Sequence, residues 1–289
     1  MNVKLIDIDS TIPNLALMQL SAYHTQLGDD VGFDTPEPDL VYISCIFKKN
    51  ASTARGVASY FPDSKIIIGG SGVDLKSAIP DGAQKIYPDY DLYPMDYDLG
   101  FTTRGCIRKC PFCVVPEKEG RLHHWMDIEE FHDPSHKVVH LLDNNLTASH
   151  DDFFKQTDFC IKNNLKLRVL PGMDIRLMTP EIAEQINRVK WDGTINFAWD
   201  NMKDEVKVKA GIEMLREAGV NLRPKVVFYV LTTFNTTHEE DLYRCNTLKD
   251  LGVSSFVMQF KPNKQSKRLA RWANRRWLYW SIPFDEYNG

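Results

Sequence analysis

The stretch Arg104-Gly105-Cys106-Ile107-Arg108-Lys109-Cys110-Pro111-Phe112-Cys113 gathers three cysteines within eight residues, separated by three residues and then by two. The other cysteines, Cys45, Cys160 and Cys245, stand singly. Six cysteines in a secreted chain suggest disulfides, but three close thiols beside three scattered ones point to a metal loop in a reducing compartment. Three thiolates at this spacing can reach three corners of a 4Fe-4S cube from one loop, leaving the fourth iron for a non-protein ligand. A structural zinc site would need a fourth protein ligand, for which His123 and His124 are candidates, and three unrelated cysteines are the remaining alternative.

Outward from this loop, the apolar pattern predicts a strand at Leu99–Thr103 just before it. Further strands are expected at Val138–Leu142, Lys166–Leu170, Thr194–Ala198, Val226–Leu231 and Val253–Gln259. Spacings of roughly 25–40 residues leave room for one helix between successive strands, the rhythm of a β/α barrel. Thr179-Pro180-Glu181 reads as a capped helix start, while Lys203 to Ala218 and Thr237 to Leu251 read as helices stopped by Gly219 and Gly252. Six such units predict a partial (β/α)6 barrel over residues 96–262. In barrels of this kind the reactive groups sit at the carboxyl ends of the strands, and the first such loop holds the three cysteines.

Upstream, Val3 to Ile8, Leu40 to Ile46 and Lys65 to Ile68 read as strands, with Asn14 to Leu27 and Ala51 to Tyr60 as helices between them. This α/β pattern predicts a small Rossmann-like βαβ domain with a parallel sheet over residues 1–95. Pro80, Pro88 and Pro94 mark its linker to the barrel. Residues 263–289 are expected to form a basic, aromatic extension.

The 289 residues are 43% hydrophobic and 26% charged, which excludes disorder, collagen-like repeats and coiled-coil rods. No apolar run approaches the ~18 residues that cross a bilayer, and acids occupy Asp7 and Asp9 where a signal peptide keeps its apolar stretch. The expectation is a soluble cytoplasmic protein with no membrane partner. Net charge is −4, yet Lys261 to Trp280 carries seven basic residues and no acid, leaving −11 on the rest of the chain. That segment alone is suited to an anion.

The cysteine stretch, with an aromatic residue just before its last cysteine, resembles the signature of the radical S-adenosylmethionine (SAM) superfamily. The resemblance covers about two-thirds of the chain. It implies that Cys106, Cys110 and Cys113 bind a 4Fe-4S cluster whose fourth iron chelates the amino and carboxylate groups of SAM. It further implies that an electron from the cluster releases a 5′-deoxyadenosyl radical, which abstracts hydrogen from a substrate. A reductant such as flavodoxin or ferredoxin, and oxygen sensitivity, come with it. Phe112 takes the family's aromatic position and is expected to contact adenine.

Further cofactor-binding candidates follow from the resemblance. Asp143, with Asn144 beside it, occupies the turn after the second barrel strand that holds the SAM amino group; a helix-capping role involving Asn145 or Thr147 competes. Asp200, after the fourth strand, is the candidate for the ribose hydroxyls, against a cap for the helix near Lys203. Arg176 is the candidate for the SAM carboxylate or a substrate acid, against a structural pair with Asp174. Gln259 and Lys261 end the sixth strand where a substrate could lie, and Arg104 either steadies the cluster or packs the loop.

The amino-terminal domain resembles a shortened cobalamin-binding domain, on Ser44-Cys45-Ile46 and Gly69-Gly70 at two strand ends. No His follows Asp7-Ile8-Asp9 to ligate cobalt, so cobalamin is the secondary expectation and a degenerate domain the primary one. Too few further cysteines are present for a methylthiotransferase or an auxiliary-cluster enzyme, which leaves a single-cluster enzyme. A cobalamin-dependent methyltransferase and a nucleic-acid-modifying enzyme are the alternatives within the family. From another class comes a non-catalytic nucleic-acid-binding protein with a structural metal loop. The substrate expectation is a small molecule, or a nucleic acid held through Lys261–Trp280, where Trp272, Trp277, Tyr279 and Trp280 interleave with the basic residues. Burial of Leu269, Trp272 and Ala273 in a final helix is the competing account.

Overall fold

In the computed structural model, which describes residues 1–289, the chain is mixed α/β with several parallel sheets. It begins with β1 (Asn2–Asp7), α1 (Leu15–Gln26), β2 (Asp30–Gly32), β3 (Leu40–Ser44), α2 (Ala51–Ala58) and β4 (Lys65–Gly69). These strands form one parallel sheet in the order β2-β1-β3-β4. β3 is buried throughout, because its alternate side chains serve two layers. Leu40 and Tyr42 pack with Leu17 and Leu20 of α1, and Val41 and Ile43 with Ala54 of α2. Asn14 caps α1 by accepting from the Leu17 N–H. β2, only Asp-Val-Gly, had no sequence signal; it exists by pairing with β1.

The second unit runs β5 (Asp98–Gly100), β6 (Thr103–Arg104), α3 (Val115–Lys118), β7 (His123–His124), α4 (Ile128–Phe131), β8 (Val138–Leu141), α5 (His150–Lys162) and β9 (Lys166–Val169). It continues with α6 (Pro180–Arg188), β10 (Lys190–Trp191), β11 (Ile195–Ala198), α7 (Glu205–Glu217), α8 (Leu222–Lys225), β12 (Val226–Thr232), α9 (His238–Asp250) and β13 (Ser254–Gln259). Two helices follow, α10 (Lys264–Ala273) and α11 (Arg276–Ser281). Thr179 caps α6 as its sequence context predicts, and Thr237 caps α9 within a full capping box with Glu240.

The strands lie in two parallel sheets, β10-β9-β8-β5 and β11-β12-β13, joined by a single parallel bridge between Met173 and Phe197. The strand expected at Thr194–Ala198 belongs to a divided pair: β10 runs beside β9 and β11 beside β12. The break falls at Asp192-Gly193-Thr194, where Gly193 has φ +75°. The strand expected over Leu99–Thr103 is also corrected. It stops at Gly100, and Thr103-Arg104 turns away to pair antiparallel with His123-His124.

The largest core extends from Met126 to Phe284 and includes Phe153, Phe197 and Phe228. Residues 263–289, expected as an extension, contribute Leu269, Trp272, Leu278, Tyr279 and Phe284 to it. Nor is the proline-marked segment a free linker. Tyr90 is buried with Met18 and Leu99 and donates to the Phe131 carbonyl at 2.6 Å, while Tyr93 donates to Asp7 at 2.8 Å. No helix is long and apolar enough to cross a membrane.

Candidate functional site

The loop carrying the three cysteines leaves β6 through Gly105, at φ +78°, where a Cβ would stand 2.3 Å from the Arg121 carbonyl oxygen. Only glycine fits that turn. The loop is tied down by Glu119, which accepts from the Gly105 N–H at 3.1 Å and from Asn144 Nδ2 at 2.7 Å, and pairs with Arg104 at 3.1 Å. Burial opposes ionisation of Glu119, but Arg104, the Gly105 N–H and Lys118 more than offset it and hold the carboxyl below its usual range. Arg104 also lies over the Phe101 and Trp125 rings, so its role is loop packing.

All three thiols are free; Cys106 and Cys110 are half-buried and Cys113 is exposed. Asn145 Nδ2 stands 3.9 Å from Cys106 Sγ, and the Arg108 N–H donates to the same sulfur at 3.4 Å. Burial pushes the Cys110 thiol up, Arg176 pulls it down, and Cys113, Asp200 and Cys106 push it up again. The donor set suits a soft metal centre: several thiols on one partly open loop.

Asp174 ties the cysteine loop to the loop after β9. It accepts from Arg108 Nε at 2.9 Å and Arg176 Nε at 2.7 Å, while its own N–H donates to Asn145 Oδ1 at 3.2 Å. Burial alone would raise the Asp174 carboxyl; the two guanidinium groups bring it below its usual range. Arg176 also bonds Asp204 at 3.0 Å, so of its two readings the structural pair is the one formed.

Asp143 is corrected as a partner for an ammonium group. It is fully buried, and its oxygens accept from the backbone N–H groups and hydroxyls of both Thr102 and Thr103 at 2.6–2.8 Å. Burial pushes the carboxyl up against those four bonds. By collecting both threonines it draws the chain out of the β5 ladder and aims it into the cysteine loop. The cap expected from Asn145 does not form, since that side chain serves Asp174 and Cys106 instead. Asn144 is likewise engaged, with Glu119.

Asp200 keeps its candidacy. Asn201, not Asp200, caps the turn that follows; Asp200 Oδ1 accepts from the Leu231 N–H at 3.1 Å, and burial pushes its carboxyl up. Phe112 packs edge-on against Phe234, with centroids 5.3 Å apart, and Phe234 against Phe260 at 4.8 Å. Sequence reasoning missed Phe234, which Thr233 at φ +63° and Asn235 at φ +53° hold in a tight turn after β12. Gln259 accepts from Ser266 at 2.9 Å, while Lys261 is exposed.

His123 and His124 do not turn toward the thiols. His123 Nδ1 lies 2.9 Å from the Arg121 carbonyl oxygen, and His124 Nδ1 lies 2.7 Å from Asp152. In the tail it is the burial of Leu269, Trp272 and Ala273 in a helix that forms. Trp272 and Tyr279 are in the core, Trp280 is half-buried beneath Arg223, and Trp277 alone of the four is well exposed, at 65%. The chain matches no family model and no curated protein sequence.

In the first unit, the double glycine expected to admit cobalamin faces its own chain. A Cβ on Gly70 would stand 2.4 Å from the Cys45 carbonyl oxygen, and one on Gly69 would stand 2.6 Å from Ser77 Oγ. Asp9 occupies the neighbouring crest, accepting from the Ile46 and Phe47 N–H groups and from Asn50. These residues do not fit a corrin.

Proposed function

We propose that this chain is a radical SAM enzyme, in which Cys106, Cys110 and Cys113 hold a single 4Fe-4S cluster and an unidentified substrate loses a hydrogen atom. The observation that carries this reading is the set of three free thiols on one loop beyond β5 and β6, with Phe112 among them and His123 and His124 engaged elsewhere. Its support includes strand order. In chain sequence β5, β8, β9, the divided β10 and β11, β12 and β13 read as six rungs of a partial β/α barrel. When bound, the cluster supplies the electron that cleaves SAM to a 5′-deoxyadenosyl radical, drawn from a reductant of the flavodoxin or ferredoxin class.

The chain's own residues do the positioning. Asp143, Glu119 and Asp174 fix the cysteine loop from behind, Asp200 in the loop after β11 offers a carboxylate oxygen for the ribose, and Phe112 with Phe234 forms an aromatic wall for adenine. Cys45, Cys160 and Cys245 are buried, consistent with one cluster.

The test is anaerobic reconstitution with iron and sulfide, followed by electron paramagnetic resonance with and without SAM and an assay for 5′-deoxyadenosine. The expected result is a cubane signal that SAM perturbs, deoxyadenosine formation, and loss of that formation to background in Cys110→Ala. Zinc binding without response to SAM, or cleavage surviving Cys110→Ala, would overturn it.

A further inference from the structure

Between the loops after β12 and β13 lies a polar cavity of about 300 Å³ that takes no residue from the cysteine loop. Thr236, His238 and Asp241 line it from the start of α9 and the turn before it, and Lys261, Asn263 and Gln265 from the start of α10 and the turn before that. No apolar side chain takes part. Thr233 fastens the two loops together: its hydroxyl accepts from the Lys261 N–H at 2.9 Å, and its own N–H donates to Asp241 at 3.3 Å. It does so at φ +63°, a conformation that a β-branched residue keeps only when its surroundings hold it there. The cavity is therefore built into the fold before any ligand arrives.

The charge of this cavity is positive. Asp241 is the one acid in its lining and is 2% exposed, with one oxygen on the Arg244 guanidinium at 2.5 Å and the other on the Thr233 N–H. Its charge is thus answered from within the chain. The lysine ion pairs are those of Lys118, Lys155 and Lys209, so the exposed Lys261 has none. α10 carries no acid in its first turn, and the Asn263 side chain and carbonyl take the Ser266 and Lys267 N–H groups. The N–H groups of Lys264 and Gln265 are left without a partner, at a helix end that holds about half a positive charge. α9 differs, since Glu239, Glu240 and Asp241 in its first turn answer its own positive end. Thr236 supplies an independent mark: its hydroxyl oxygen is buried and has no hydrogen-bond partner. Buried hydroxyls are seldom left so, and a ligand held among the residues beside Thr236 would satisfy it.

We infer that this cavity binds a phosphate monoester of a small polyhydroxy compound, its phosphate held by Lys261 and the start of α10 and its hydroxyls by Thr236, His238 and Gln265. A monoester brings about −1.5 to −2 of charge and three acceptor oxygens, which an ammonium and a helix end together answer better than they would a carboxylate. The volume equals about ten waters at ~30 Å³ each, more than a bare phosphate fills. The lining offers nothing to an aromatic or fatty group, so the rest of the ligand is polar. The inference stands apart from the proposed radical chemistry, because none of these residues holds the cluster.

The test is isothermal titration calorimetry of the full chain, without added iron and in a buffer free of phosphate and sulfate, with glycerol 3-phosphate as the probe. It should bind at a single site with a dissociation constant at or below about 1 mM, inorganic phosphate about tenfold more weakly, and glycerol not at all. Lys261→Ala should weaken binding about tenfold or more, as loss of a charged donor does. Thr236→Val should weaken it about fivefold while leaving the melting temperature of the free chain unchanged or raised, since it removes a hydroxyl that has no partner there. A hydroxyl with only a structural role would do the reverse. Lys261 is exposed, so its variant decides the matter even if Thr236→Val fails to fold. No binding of the probe, equal affinity for inorganic phosphate or for glycerate, or affinity unchanged in Lys261→Ala would overturn the inference. So would preference for phosphatidic acid vesicles over the soluble ester. Because the titration needs no cluster, binding without SAM cleavage overturns the enzyme reading alone, and SAM cleavage without binding overturns this inference alone.

Discussion

Cys45 directly follows the parallel strand β3, and Cys106 lies beyond the parallel β5 and the short antiparallel β6; their surroundings are opposite. Cys45 is fully buried, with its sulfur 3.6 Å from Asp9 and its carbonyl against Gly70, and burial pushes its thiol up. Asp9 satisfies the loop from above, so the crest of the first sheet is sealed by its own chain. In the second unit the carboxylates lie behind the loop. Asp143, Glu119 and Asp174 take up its N–H groups, hydroxyls and arginines, leaving the sulfurs partly open. A parallel strand end becomes a site only when the loop's polar groups are satisfied without covering its reactive atoms.

The strongest way to break this contrast is to remove the deepest of those carboxylates. Asp143→Ala leaves two N–H groups and two hydroxyls unpaired in a fully buried place, and should cost about 3–5 kcal/mol in urea unfolding, with loss of iron retention. A loss below about 1 kcal/mol would mean that the threonines find other partners. On the sealed side, Gly70→Ala forces a Cβ onto the Cys45 carbonyl at φ +98°, and should cost about 2–3 kcal/mol while leaving iron content unchanged. Iron content falling in step with stability would show that the two crests are not independent.

The smallest effect sharpens the comparison by pH. Asp174 has a folded carboxyl below its ordinary 3.8, so the stability it contributes is complete above that value and is lost as pH falls through the lowered one. Asp174→Asn should therefore destabilise by about 1 kcal/mol near neutrality, a figure kept small because Arg108 is 36% exposed to screening. The gap between wild type and variant should close below about pH 4. Thermal melts at several pH values check this; a gap that widens in acid would refute the pairing.

Local signals in the sequence located most of the scaffold. The cap at Thr179, the helices that begin near Asn14 and Thr237 and most strand positions depend on neighbours within a few residues, and they stand close to where they were expected. β2 and the division between β10 and β11 were illegible, because pairing with distant strands creates them and no local periodicity announces it. The candidate site divides the same way. The three cysteines and Phe112 are visible in one short stretch, but Glu119 acts through Arg104, Gly105 and Asn144, the last 25 residues away.

What the sequence by itself determined is therefore the chemistry on offer: three thiols at a metal-binding spacing, a mixed α/β rhythm and one basic segment. Tertiary structure decided how that chemistry is deployed. It turned Asp143 inward to threonines about 40 residues away, joined Arg176 to two carboxylates, and buried Trp272 and Tyr279 of the tail while exposing Phe256 of β13. The reason is physical. Residue type and spacing set what a side chain can do, but a carboxylate, guanidinium or ring becomes structural or available only when packing decides what surrounds it.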